Sequence, residues 1–189
     1  MLKPGSERVE TLLTALVEIE SFVGRAGWDQ PARLFALVST ADLLAAEPSL
    51  AGQLKKTGPG ALSSVEQEDF RSGTDLLTAL GQLAWPATVA GCALATERSF
   101  LPPAAEADIP ARPDLAAEFV AAHPDRQDLR VVAGALRGAD GGVLTHCVAR
   151  LTSDPTDLLM GTDLVPALTR ALALTKRSEE RRVGKECRS

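Results

Sequence analysis

The stretch from Trp85 to Pro103, WPATVAGCALATERSFLPP, sets the terms for the rest of the chain. It opens on Trp-Pro, runs through small apolar residues and stops at Pro102-Pro103. No charge falls between Thr88 and Thr96. Alternate positions are apolar on both sides: Val89, Gly91, Ala93 and Ala95 on one, Ala90, Cys92 and Leu94 on the other. A strand with one wet face alternates apolar with polar, whereas this pattern predicts a central strand covered on both faces. The other elements then serve as its packing partners.

A chain of 189 residues is long enough for one domain with a proper core. Its 45% hydrophobic and 24% charged residues match an ordinary soluble globular chain. No apolar run reaches the ~20 residues of a membrane span. The N-terminal MLKPGSERVE lacks the apolar centre of a secretory signal. A cytoplasmic location without a membrane partner is therefore expected. Cys92, Cys147 and Cys187 do not make a disulfide framework. A net charge of -5 with no basic stripe, and no Tyr to stack on bases, argue against nucleic acid.

Apolar residues at Val9, Leu12, Leu13, Leu16, Val17, Ile19 and Val23 predict an amphipathic helix from about Glu7 to Gly24, capped by Ser6. Arg33 to Val38 reads as a strand. Thr40 to Leu44 reads as a short helix capped by Ser39 or Thr40, with a further turn from Pro48. Lys55 to Gly60 is a loop, and SSVEQED (63–69) a polar, acidic stretch. Ser72 or Thr74 is expected to cap a helix carrying Leu76, Leu77, Leu80 and Leu83, which ends before Pro86. LPPAAEADIPARPD holds four of the twelve prolines and is read as an irregular surface crossing. A helix over 113–122 follows, with Leu115, Phe119 and Val120 inward. LRVVAGAL (129–136) and VLTHCVARL (143–151) form a hairpin, with Gly138, Gly141 and Gly142 suited to positive φ. Thr162 or Asp163 caps a last helix whose inner side carries Leu164, Val165, Leu168, Ala171 and Leu172.

From Arg177 the composition changes to RSEERRVGKECRS. This segment has five Lys/Arg and three Asp/Glu, so its +2 within a total of -5 leaves -7 for residues 1–176. The reading is a single α+β domain over 1–176 and a non-native, vector- or adapter-like disordered tail over 177–189. The tail is expected to have displaced whatever natural ending followed Thr175.

Few familiar chemistries fit. His146 and Cys147 are neighbours on a strand, so their side chains point to opposite faces and cannot form a dyad. No CxxC or HxxxH spacing offers a zinc site, and no metal or cofactor is expected. Glu66, Glu68 and Asp69 are close enough for a hard cation if the segment is helical, but a solvated acidic helix start is the preferred reading. GADGG opens no helix and is no phosphate loop. Glu97 and Arg98 follow the central strand, either in a cleft or as its solvated end. Trp28 and Trp85 adjoin loops and are either partner anchors or plugs at the rim of the core. The candidate partner or ligand surface is therefore Trp28, Glu66, Glu68, Trp85, Glu97 and Arg98, with no catalytic residue assigned.

Three groups of motifs resemble one family: WDQPARLFALV (28–38); VEQED (65–69) with Trp85-Pro86 and ERSFLPP (97–103); and DLVPAL (163–168). They are similar to a family of actinobacterial cytosolic proteins named after a propionibacterial locus, to which no activity is assigned. The resemblance runs from about residue 6 to 175, and it carries no catalytic residue over. Arg71-Ser72-Gly73 departs from it, standing where a Pro-containing link is expected. An Ala-rich, Lys-poor composition fits a high-GC actinobacterial genome.

The element order predicts an α+β fold, with a roughly four-stranded, mostly antiparallel sheet and helices packed mainly on one face. It is loosely similar to secretion-chaperone folds, which bind partner proteins and hold no active site; that is an analogy of fold alone. The functional expectation is a non-enzymatic, chaperone-like protein-binding or adaptor module, with a protein partner or a homodimer. The alternative is a small-ligand-binding protein or enzyme with an acidic pocket near the central strand, built from Glu66, Glu68, Glu97 and Arg98.

Overall fold

Six strands make one antiparallel sheet: β1 (Arg33–Ser39), β2 (Leu62–Glu66), β3 (Val89–Phe100), β4 (Gln127–Arg137), β5 (Val143–Leu151) and β6 (Leu159–Gly161). Their order across the sheet is β2-β1-β3-β4-β5-β6, so β3 is interior, as its two-sided apolar pattern requires. The helices are α1 (Pro4–Gly24), α2 (Thr40–Ala46), α3 (Leu76–Gly81), α4 (Pro103–Glu106), α5 (Pro113–Ala122) and α6 (Pro166–Glu186), with a 3-10 turn at Pro48–Gly52. The computed structural model describes residues 4–54, 58, 60–73, 75–138, 140–162 and 164–186, with side chains from Gly5 through Lys176 other than Pro103. The last helix thus enters the compositionally distinct segment 177–189. Among the described residues no helix is long and apolar enough to cross a membrane.

The expectation of four strands with helices mainly on one face is corrected twice. The two additional strands are the sheet edges. β2 (LSSVE) buries only Ser63, which shares a 2.8 Å hydrogen bond with Thr40, and β6 is three residues long. Neither is long or apolar enough to give a strand signal. The acidic stretch at 63–69 is therefore part strand and does not start a helix. Helices also cover both faces. On one, Leu12, Leu16, Ile19 and Val23 of α1 pack on Phe35, Leu37, Ala93, Ala95, Val132 and Val148. On the other, Leu80 of α3 and Leu168 and Leu172 of α6 pack on Leu34, Cys92, Leu94, Val131 and Ala133.

The β4–β5 hairpin forms as expected, and its register sets Leu129 opposite Leu151 and Arg137 opposite Val143. In its loop Gly141 takes positive φ, at 79°, whereas Gly138 and Gly142 do not. Alternation along β3 holds from Gly91 onward and breaks just before it. Leu37 pairs with Gly91 but Val38 with Val89, so Ala90 is the extra residue of a bulge. The bulge turns Val89 to the α6 face and Ala90 to the α1 face, the reverse of simple alternation.

Local starts also differ. α1 begins at Pro4, which puts Ser6 inside its first turn. Ser39 caps α2, its Oγ accepting from the Asp42 amide. Asp75 caps α3, its carboxylate accepting from the amides of Leu77 and Thr78, so the cap is not Ser72. The alternative caps Thr74 and Asp163 lie outside the described residues. The proline-rich crossing holds the single turn α4. α5 has the expected bounds but not the expected burial. None of its residues is buried; Leu115 is 41% exposed, and Phe119 and Val120 are half-buried. It meets β3 but adds no side chain to either core cluster.

A small residue also decides how closely β3 and β4 approach. A Cβ on Gly91 would stand 2.6 Å from the Ala135 carbonyl oxygen and 3.2 Å from the Leu136 Cα, both backbone atoms. Gly91→Ala is expected to destabilise the chain by about 1–3 kcal/mol, the usual cost of overpacking. Gly81→Ala, with nothing within 4 Å of the new methyl, should be neutral or slightly stabilising. Urea unfolding of the two variants checks this; equal midpoints would show that the β3–β4 contact is looser than its geometry.

Candidate functional site

A row of charged residues crosses the sheet beneath the C-terminal end of α1. Register places Glu97 of β3 opposite Arg130 of β4, and Arg130 opposite Arg150 of β5. α1 delivers Glu20 to this row because Glu20 shares the helix face of Leu16 and Val23. Glu20 and Arg130 are 2% and 3% exposed. The Glu20 carboxylate accepts from Arg150 Nε and Nη2, both at 2.9 Å, and lies 3.6 Å from Arg130 Nη1. Arg150 also donates to the Pro155 carbonyl at 2.6 Å.

Arg130 then ties down the loop that leaves α1. Its guanidinium donates to the Gly27 carbonyl, and its Cζ lies 4.4 Å from the centroid of the Trp28 ring. The Asp29 amide donates to Glu97 Oε2 at 2.8 Å, and Glu97 Oε1 stands 3.6 Å from Arg130 Nη2. The loop reaches these partners through positive φ at Gly27 (83°) and Asp29 (61°). A Cβ on Gly24 would come within 3.1 Å of Arg130 Nη1, so the glycine at the helix end also makes room for the guanidinium. Two carboxylates and two guanidinium groups balance, as a mostly buried charge cluster requires. Each is engaged by another, so the cluster acts as a clamp holding α1 and its loop on the sheet.

Of the sequence-predicted residues, Trp28 and Glu97 meet in this clamp. Arg98 does not: as the next residue on the strand it points to the other face, and it is exposed. Glu66 and Glu68 line a separate cleft of about 560 Å3, with Gln30, Arg33, Phe70 and Arg71. Arg33 Nε and Nη2 hold the Glu66 carboxylate, both at 2.6 Å, while Phe22 packs on the Arg33 guanidinium at 4.9 Å. The hydrogen bonds from Arg33 hold the Glu66 carboxyl below its ordinary 4.5, against the opposing effect of burial. Arg71 donates to the carbonyls of Glu68 and Phe70. The predicted pocket joining Glu66 and Glu68 to Glu97 and Arg98 is thus divided between a cleft, a clamp and an exposed strand end.

Trp85 lies on the opposite face of the sheet at 7% exposure, a plug of the core rim. Its Nε1 donates to Thr175 Oγ1 at 3.3 Å, and Lys176 Nζ lies 5.1 Å from its ring. Lys176 also donates to the Val89 carbonyl at 3.0 Å. Burial pushes the neighbouring Cys92 thiol up, away from a thiolate. Cys147 is buried, and the Nδ1 of half-buried His146 accepts from the Cys147 amide at 3.0 Å, so the two side chains form no dyad. Among the described residues, no three His, Cys, Asp or Glu are grouped as a metal would need.

A family model matches residues 12–177: PPA1309-like protein. The chain belongs to this family. No curated protein and no solved structure matches it. Known for its sequence pattern and not for an activity, the PPA1309-like family assigns no role to any residue here. The matched span takes in all six strands, the Glu20 clamp and the Arg33–Glu66 cleft, and it ends inside α6 where the composition shifts.

Glu20, Arg130 and Arg150 were not visible as a site in the sequence. The available signal was a charge on an otherwise apolar surface: Glu20 between Ile19 and Val23 on the inner side of α1, and Arg130 heading the apolar run of β4.

Glu20→Ala would leave Arg130 buried with half of its charge partners gone. It is expected to cost about 3–5 kcal/mol, while Glu20→Leu combined with Arg130→Met recovers a large part of that loss. Urea unfolding followed by tryptophan fluorescence reads both; a parental midpoint for Glu20→Ala would mean the clamp contributes no stability. Glu66 supplies a pH dependence. Because its folded-state value lies below 4.5, its pairing stabilises the fold at pH above 4.5 and is lost as pH falls through that lower value. Glu66→Gln should therefore show a shallower acid-side loss of stability than the parent, and an identical slope would remove Glu66 from the linkage.

Proposed function

We propose that this chain is a non-enzymatic, protein-binding module of adaptor type. The observation that carries this reading is α5, a ten-residue helix with an apolar stripe and no buried residue. Helices of fewer than ~12–15 residues are marginal in water without tertiary packing, and α5 receives little from the sheet end it touches. A partner that covers Leu115 would supply the missing contact. The commitments of Glu20, Glu97, Arg130, Arg33 and Glu66 support the same reading, since these groups hold one another in place.

A second reading rests on the Arg33–Glu66 cleft, whose mixed charges and 560 Å3 suit a small polar ligand. Immobilised full-length chain in a lysate of the source organism, with retained proteins and small molecules both identified by mass spectrometry, separates the two. One stoichiometric protein is the expected result. A retained metabolite or metal without a protein partner would overturn the adaptor reading in favour of the cleft.

A further inference from the structure

Residues 101–126 leave the sheet after Phe100, at the end of β3, and return at Gln127, the start of β4, as a lobe that includes α4 and α5. The arginines of this lobe are committed. Arg112 pairs with Asp114 at 2.5 Å; Arg126 pairs with Asp128 at 2.7 Å and donates to the Ala121 carbonyl at 3.0 Å. Glu106, Asp108, Glu118 and Asp125 are exposed and make no ion pair among the described residues. The unbalanced charge of the lobe is therefore negative. It accompanies a helix whose apolar side chains recur at Leu115 and Phe119, four residues apart, the spacing with which one helix face meets another.

We infer that α5 docks a basic amphipathic helix of a partner protein. The partner's apolar side lies on Leu115 and Phe119, and its lysines or arginines face the uncompensated carboxylates that include Glu118 and Asp125. This rests on the adaptor reading and adds the place and the chemistry of the partner. Complementary charge steers the encounter and selects against acidic surfaces, while the apolar contact supplies the affinity. The same carboxylates repel anionic lipid and nucleic acid, which leaves a basic protein segment as the matching occupant.

The test is photo-crosslinking of the full chain in a source-organism lysate, with benzoylphenylalanine at position 115 or, as a control, at position 10 on the exposed side of α1. Cross-linked segments are identified by mass spectrometry. The expected result is one segment captured at position 115, net positive, with apolar residues at helical spacing, and absent at position 10. Glu118→Lys with Asp125→Lys should reduce its capture tenfold or more; Glu10→Lys with Glu18→Lys should not. A net-acidic segment, or capture indifferent to charge reversal in the lobe, would overturn the proposal. If the chain retains a protein that never cross-links at position 115, this site is wrong and the adaptor reading stands. If no protein is retained at all, both are wrong.

Discussion

The interior pair β3–β4 is the constraint on which the rest of the structure depends. Both strands are apolar on both faces, so neither face tolerates water, and each needs its own helical layer. Their small residues then set how near the layers come. Gly134 lies directly under α1, where a Cβ would meet Leu12 and Leu16 at 3.0 and 2.6 Å. α1 can sit low on the sheet because the β4 position beneath it carries no side chain. The opposite face is filled by larger groups, Leu94 and Val131, against α3 and α6.

An apolar layer alone lets a helix slide or rotate with little penalty. The charged clamp removes that freedom. Glu20 satisfies Arg150 and approaches Arg130 only when α1 stands at one height and one rotation, and Arg130 must at the same time meet Gly27 and Trp28. Buried ion pairs contribute little net stability compared with apolar substitutes of similar size, so their effect here is better understood as choosing one arrangement among several. The arrangement also explains why residues with the look of chemistry do structural work: Glu97 and Trp28 are positioned by, and in turn position, the loop between α1 and β1.

The sequence made the interior legible and the margins obscure. β3 and the β4–β5 hairpin could be read because a run of small apolar residues, or two strands around a glycine-rich loop, has few alternatives. β2 and β6 could not, since an edge strand buries little and needs only backbone pairing. The inference that helices lie mainly on one face conflicted with the two-sided pattern of β3, and that local pattern was the better guide. The six candidate residues were separated by strand parity and layer: Glu97 and Arg98 by a single step along β3, Trp85 by lying on the α6 side of the sheet. Glu20, Arg130 and Arg150 come from 20, 130 and 150 in the chain, and only the register of two strands under one helix brings them together.

The placement of α5 bears on how the chain closes up. β4 and β5 are joined by the five residues between Arg137 and Val143, whereas 26 residues separate the paired ends of β3 and β4. Loop-closure entropy grows as (3/2)RT ln n, so joining β3 to β4 costs about 1.5 kcal/mol more than zipping the hairpin. The hairpin is the natural early nucleus, with β3 recruited once α1 can bridge all three strands. An excursion inserted between two already paired strands can also unravel and re-form without parting them. Its local stability is thereby uncoupled from that of the sheet, and an encounter at its surface would be felt first as ordering within the lobe.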